Sequence, residues 1–313
     1  MALADLVTEG LAQDLSDVPV DAGVTTGLPP KFEGKPFFLP FRPNVRLAYA
    51  PRARLADAGI DLPRTPDDLK HAAQRLKDVA GRPVLTLSLS DKDGGRPAAV
   101  TISELVLAFG GNPVRLNSDE VVKAFEFLQT LWHEKLLTRE SLFAKHDTEI
   151  EYLEDGTSWL AQNWSVTSAE LADEGRLSEF HVYPGWQGAG KHVIGGDVLG
   201  IPAGVAGAER AAAVDLARFL MSRDAQRFLV ERNAWPAIRD DAYDASAPSD
   251  ATIGAMKEAL DGGWYRPAEP YWAAVTAAMN EAVDRIVLQG QPPRSVLDEL
   301  RTQVRDGNAG YPG

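Results

Sequence analysis

The chain has 313 residues, of which 44% are hydrophobic and 25% charged, with a formal net charge of −13 and no cysteine. That length suits two lobes better than one core, and the composition is that of a globular protein. The acidic balance excludes nucleic acid and disfavours an anionic membrane surface, since both need clustered Lys and Arg, and the absence of thiols excludes disulfides, thiolate metal sites and cysteine nucleophiles.

Met1-Ala2-Leu3-Ala4-Asp5 has neither the basic n-region nor the apolar h-region of a signal peptide, so none is expected here. No apolar run is long enough to span a bilayer. Residues 3–13 are expected to form a short helix, followed by a Pro- and Gly-rich stretch from Val18 to Pro30. Lys35 to Pro40 and Val45 to Tyr49 have the pattern of strands. Thr65 is a suitable N-cap, with Pro66 at the first helical position and Asp67 and Asp68 in the first turn. Leu69, Ala72, Leu76 and Val79 then repeat at helical spacing. Val84 to Leu89 has the continuous apolar character of a buried strand. Thr101 to Phe109 is expected to be helical and to end at Gly110-Gly111. Ser118 caps a helix with the stripe Val121, Phe125, Leu128 and Trp132. Asp215 to Leu229 is expected to be helical with a break near Ser222. One further helix carries Trp272, Val275, Met279 and Ile286, and another starts after Pro293. Gly/Pro segments at 185–196 and 246–250 are expected as loops or crossovers. Strands alternating with helices imply an α/β architecture.

Several motifs fail on inspection. Gly185-Trp186-Gln187-Gly188-Ala189-Gly190-Lys191 fits the start of a phosphate-binding loop, but His192 stands where Ser or Thr should ligate the metal. Val193-Ile194-Gly195-Gly196 then follows in place of a helix N-terminus, so a glycine-rich loop is the better reading. Asp91-Lys92-Asp93-Gly94-Gly95 is similar to a calcium loop, yet Arg96 replaces the turn glycine and Ile102 the bidentate glutamate. The five histidines lack metal spacing, no nucleophile elbow is present, and no cofactor or metal is expected. Glu149, Glu151, Glu154 and Asp155 form an acidic cluster that a glycosidase could use. The plainer reading is a solvated helix end before Gly156.

Sugars present apolar C–H faces and rings of hydroxyls, which proteins hold with aromatic platforms and planar polar side chains. Asn163-Trp164-Ser165 and Gly195-Gly196-Asp197-Val198-Leu199-Gly200-Ile201 suit such a cleft. Further landmarks stand in a fixed order around them. They are Phe41 to Tyr49, Leu55 to Ile60 with Pro63 to Leu69, Asp224-Ala225-Gln226 with Trp235-Pro236, and Tyr265-Arg266-Pro267 with Pro270-Tyr271. Taken together, nearly the whole chain resembles the extracellular solute-binding proteins of family 1, the sugar-binding subunits of ABC importers.

The resemblance implies a type II periplasmic-binding-protein-like α/β fold of two lobes with hinge crossovers, the ligand lying between them. One lobe would comprise 1–48 and 200–245, the other 51–197 and 248–313, with crossovers at Ala48–Pro51 and Val198–Ile201. The sequence begins at a segment resembling the family's short helix before its first hairpin, which implies an incomplete first lobe. Carried over, Asn44 bonds sugar hydroxyls with Arg42 and Arg46 flanking it. Trp164 stacks on a ring face, Gly196 offers a backbone contact, and Arg266 forks to hydroxyls. Asp197 stands where many members have tryptophan, which implies a smaller or more polar ligand, or one with a cationic group. Asp197 is then expected to set selectivity, unless it merely pairs with an arginine such as Arg266. The implied partners are a carbohydrate and the transmembrane subunits of an ABC permease, outside the cytoplasm. The alternatives are a glycosidase using the acidic cluster, and an interaction protein that kept the fold without a ligand.

Overall fold

Local signals fix most helix ends of the computed structural model, which describes residues 3–91, 96–188, 190–243 and 250–313. Among these the chain order begins α1 (Leu3–Thr8), β1 (Leu39–Asn44), β2 (Arg46–Pro51), α2 (Arg52–Ala58), α3 (Pro66–Ala80), α4 (Arg96–Ala108), α5 (Asp119–His133) and α6 (His146–Glu154). It continues with β3 (Ala161–Trp164), α7 (Thr167–Asp173), β4 (Phe180–Tyr183), β5 (Val193–Leu199), α8 (Gly207–Leu220) and α9 (Arg223–Asn233). The last elements are α10 (Asp250–Leu260), β6 (Trp264–Tyr265), α11 (Tyr271–Ala282), extended by a π-helical turn at Val283–Leu288, and α12 (Pro293–Gly307). The expected loop at 246–250, but for its last residue, and most of the calcium-loop-like stretch lie outside the described residues.

Thr65 caps α3 in a reciprocal box. Its hydroxyl accepts from the Asp68 amide, and the Asp68 carboxylate accepts from the Thr65 amide at 3.0 Å. Ser118 and Ser222 cap α5 and α9 in the same local way. Gly10, in the left-handed region at φ +67°, follows the end of α1, which is shorter than the expected helix over 3–13. Helices α4 and α8 begin earlier than the apolar pattern implied, at Arg96 and Gly207. The strand expected over 35–40 begins only at Leu39, since Phe37 and Phe38 pack edge-on against Phe32 instead. Val84 to Leu89 is extended and buried but forms only isolated bridges, from Leu85 to Leu137 and Leu160.

Six strands form two three-stranded sheets among the described residues, ordered β1-β5-β6 and β3-β2-β4. Strand β2 is antiparallel to both its neighbours, with Arg46 opposite Trp164 and Ala48 opposite Tyr183. Strand β1 is antiparallel to β5, whose first residues pair in parallel with β6. The chain therefore passes from one sheet to the other at Val45, earlier than the expected Ala48–Pro51. On the return, β5 exchanges partner between Ile194 and Gly195, earlier than the expected Val198–Ile201.

The largest core packs α2 to α5 against α11 and α12 around Leu76, Leu105, Phe125, Met279 and Leu297. A second core gathers Val45, Leu47 and Tyr49 with Val230, Ala237 and Met256. A third, smaller one joins Leu15, Val18 and Leu39 to Ile201, Val214, Met221 and Ile238. The capping box predicts that Thr65→Ala lowers stability by about 1 kcal/mol. Urea unfolding should show a lower midpoint with an unchanged slope; an unmoved midpoint would mean that the cap contributes nothing.

Candidate functional site

The two sheets meet where β1, β3 and β5 converge. Pro43 lies opposite Gly196 and Asn44 opposite Gly195. Gly196 has φ +118°, and a Cβ there would run into the Arg42 carbonyl and lie 2.8 Å from Pro43 Cα. The approach of the β1 backbone alone thus demands glycine at 196. A Cβ on Gly195 would lie 2.8 Å from Cη2 and 3.0 Å from Cζ3 of Trp164, and 3.8 Å from Nη2 of Arg266. The indole, the guanidinium and the bare backbone of residue 195 therefore share one small volume. Asn44 joins them, its Oδ1 accepting from Ser165 Oγ at 3.2 Å.

Trp164 is half-buried at the end of β3. It packs on Val100, Leu107 and Val193 beside Trp264, whose ring meets Trp272 edge-on at 5.6 Å. Arg266 is half-buried just after β6 and is itself engaged in an interaction. Trp164, Arg266, Asn44 and Gly195 thus form one group at the sheet junction.

Arg42 and Asp197 are register partners on β1 and β5 and form an ion pair. The Arg42 guanidinium also lies over the Trp235 ring, 4.0 Å from its centroid. Trp235 is set there by Ala234, which ends α9 in the left-handed region at φ +49°. Asp197 thus has an arginine partner, as the alternative reading held, but it is Arg42 and not the suggested Arg266. The reason is strand register, which a linear sequence does not display.

Arg46, the register partner of Trp164, is buried behind that group. Its side chain is 4% exposed and donates to Thr101 Oγ1 at 3.0 Å, Ser88 Oγ at 3.4 Å and the Gln162 carbonyl, with Glu149 at 3.6 Å. It is buried and bonded within the protein, which corrects the expectation that it flanks a sugar. Glu149 in turn is fully buried, so the reading of 149–155 as a solvated helix end fails at its first carboxylate. Arg46, the nearest cation, partly offsets the cost of burying it. Asp155 turns away and accepts from the Thr157 amide at 2.7 Å. The carboxylates are thus divided between the interior, at Glu149, and the surface, at Asp155.

Glu104 on α4 is a second buried carboxylate. It accepts from Gln187 Nε2 at 2.8 Å and from the Val193 amide at 3.0 Å, with His192 Nδ1 at 3.7 Å. Burial pushes Glu104 and Glu149 each up to about 7, partly opposed by the Arg46 charge. Burial lowers His192 to about 4, so it is neutral. Sequence reasoning missed Glu104 and Trp235. A lone carboxylate inside the apolar run Val100 to Leu107 was the available signal for the first; the second needs the fold.

The glycine-rich segment from Gly185 leads into strand β5, and Trp186 and Gln187 are buried, which bears out its reading as a loop. Ala189 within it lies outside the described residues. Among the described residues no group of His, Asp and Glu could hold a metal ion, and no helix is long and apolar enough to cross a membrane. Two cavities lie away from the sheet junction. One of about 860 Å³ is lined by Arg82, Trp132, His133, Lys135 and Arg139. The other, about 680 Å³, is lined by Arg52, Arg54, Asp155, Trp159 and Arg176.

Residues 2–256 match the model of the bacterial extracellular solute-binding proteins, and the chain belongs to that family. No curated protein matches the sequence. Among solved structures, maltose-bound MalE3 of T. maritima is 18% identical, with a TM-score of 0.82 over 97% of this chain and 82% of that one. The GacH receptor of Streptomyces glaucescens, solved unliganded and with acarbose, is 17% identical, with a TM-score of 0.79 over 97% and 80% of the two chains. A solute-binding protein of Agrobacterium radiobacter K84 in complex with ribitol is 18% identical, at 0.79 over 97% and 82%. The fold is accordingly the mixed α/β periplasmic-binding-protein-like fold, and the chain spans about four fifths of each of these relatives.

The raised carboxylates have a consequence for stability. Between about pH 4.5 and 7 the folded chain holds protons on Glu104 and Glu149 that the unfolded chain has lost, so they make stability fall as pH rises through that window. His192 acts oppositely, contributing stability that is lost as pH falls from 6.5 towards about 4. Glu149→Gln should therefore gain on the wild type as pH rises from about 4.5 to about 7, with no further gain above that. Melting temperatures across pH check this; a constant offset would exclude titration of Glu149.

Proposed function

We propose that the solute is a carbohydrate or polyol, held at the sheet junction and passed to an ABC permease outside the cytoplasm. The observation that carries this reading is the meeting of the Trp164 indole, the Arg266 guanidinium and the Asn44 amide across the bare backbone of Gly195. The indole offers a face for sugar C–H groups, and the planar side chains offer directional bonds to adjacent hydroxyls. Relatives of the same fold hold maltose, α-D-tagatose and ribitol, which supports the ligand class. Of the residues expected to contact ligand, Arg46 drops out of the proposed set.

The ligand would be uncharged. Asp197 already faces a cation, Arg42, which in turn covers Trp235. A paired carboxylate attracts an amine weakly but still accepts hydroxyl bonds on its exposed side. No catalysis is proposed, since Glu149 is fully buried with Arg46 as its neighbour.

The lobes fit the same proposal, with one adjustment. The core around Leu15, Leu39, Val214 and Ile238 would belong to the first lobe, the core of α2 to α5, α11 and α12 to the second. On the sheet pairing, the boundaries would fall at Val45 and Gly195 rather than at 48 and 200. Val230 and Ala237, packed with Leu47 and Tyr49, would bind the lobes at their base.

A thermal-shift screen over monosaccharides, disaccharides, polyols and amino sugars tests the function, because a ligand of the native state raises the midpoint. Neutral sugars or polyols should shift it; a response confined to amino sugars would overturn the uncharged-ligand reading, and no response to any would overturn the ligand class. Trp164→Ala should cost roughly 1–3 kcal/mol of binding, the size found on removing stacked aromatic platforms. Calorimetric titration measures it. Asp197→Asn should reorder the neutral ligands by freeing Arg42; an unchanged order with lower stability would remove Asp197 from the site.

A further inference from the structure

A buried polar hub touches both places where the chain passes between sheets. Arg46 opens β2 immediately after the passage at Val45, and Val193 opens β5 two residues before Gly195. One helix holds both. Thr101 Oγ1 accepts Arg46 Nη1 at 3.0 Å, and Glu104 Oε1 accepts the Val193 amide at 3.0 Å. Residues 101 and 104 are three apart and so share a face of α4. The other Glu104 oxygen takes Gln187 Nε2 at 2.8 Å, and Gln187 Nε2 also reaches Gln162 Oε1 at 3.3 Å. Gln162 lies in β3, two residues before Trp164, and its carbonyl accepts from Arg46. The circuit closes on β2, β3, β5 and α4 together, and Arg46, Thr101, Glu104, Gln162 and Gln187 are each at most 3% exposed.

Core packing alone does not require these groups. Val100, Ile102, Leu105, Val106 and Leu107 already supply the apolar contacts of α4. An apolar core filled with similar volume would be as stable or more so, whereas a buried ionic network fixes geometry by direction. Charge-assisted bonds from one rigid helix hold each crossing at a set distance from the other.

We propose that Glu104 is a positioning residue which, with Thr101, makes α4 the common anchor of both crossings and so holds Trp164 and Gly195 in their mutual setting before any solute arrives. The inference deepens the carbohydrate reading in that it concerns the same site, and preorganisation of that kind lowers the ordering cost of binding. The charged and titratable groups around Glu104 are Arg46 from β2, Glu149 from α6 through Arg46, and His192 from the segment before β5.

Amide hydrogen exchange on the intact, ligand-free chain tests it. Glu104→Ala should raise exchange roughly tenfold in peptides covering both 193–199 and 44–50, while peptides of α12 stay unchanged. Glu104→Gln retains an acceptor for the Val193 amide and should restore most of the protection. Thr101→Val touches only the Arg46 arm, yet should loosen 193–199 as well, and it serves if Glu104→Ala does not fold. A uniform rise everywhere, a rise at one crossing alone, or none would each overturn the proposal. No ligand enters the measurement, so a sugar panel without binders would sink the carbohydrate reading and leave this one standing, and the reverse holds equally.

Discussion

The junction depends on two residues having no side chain. At Gly196 the β1 backbone occupies the space any Cβ would need, and at Gly195 the indole of Trp164 does. With side chains there, β1 could not close onto β5, and Trp164 could not lie against that strand. The pairing of β1 with β5 brings Arg42 beside Asp197 and Asn44 beside Gly195. Through Asn44 it reaches Ser165 and the end of β3. Glycine pairs are entropically costly in a strand interior. Here the cost is offset by the contacts that the close approach permits.

Beneath that junction the interior holds charge. A protein of net charge −13 buries Arg46 among Glu104, Glu149, Thr101 and Gln162. Desolvation disfavours both carboxylates, which is why each is held well above its ordinary range. Such a network is a poor source of net stability and a good source of definite geometry. The site above it is accordingly backed by directional bonds as well as by apolar packing from Val100, Leu107 and Val193.

The exposed side of the junction has a different electrostatic character. Arg42 is shared between the Asp197 carboxylate and the Trp235 ring, so one aromatic face and one acid are already satisfied within the protein. In the proposed reading, a solute would meet the region around Trp164, Asn44 and Arg266. Membership of the extracellular solute-binding family fits this division, in which a built interior supports a small group of ring and planar polar side chains.

The sequence by itself determined what is local. The Thr65 box, the Ser118 and Ser222 caps and the helical stripes were legible because the bonds and contacts span three or four residues. The ordered landmarks from Phe41 to Tyr271 were enough to assign the family. Only the tertiary structure decided which distant residues meet. Arg46 and Glu149 are 103 positions apart and were read separately, as ligand contact and solvated charge, yet they lie side by side inside the core. Asp197 was expected to set selectivity, with an arginine partner such as Arg266 as the alternative, and strand register gave it Arg42. The apolar run Val84–Leu89 was legible as buried but not in its pairing, since hydrophobicity reports removal from water and carries no direction. Register and charge pairing are properties of the closed fold, set by backbone distances that no single segment contains.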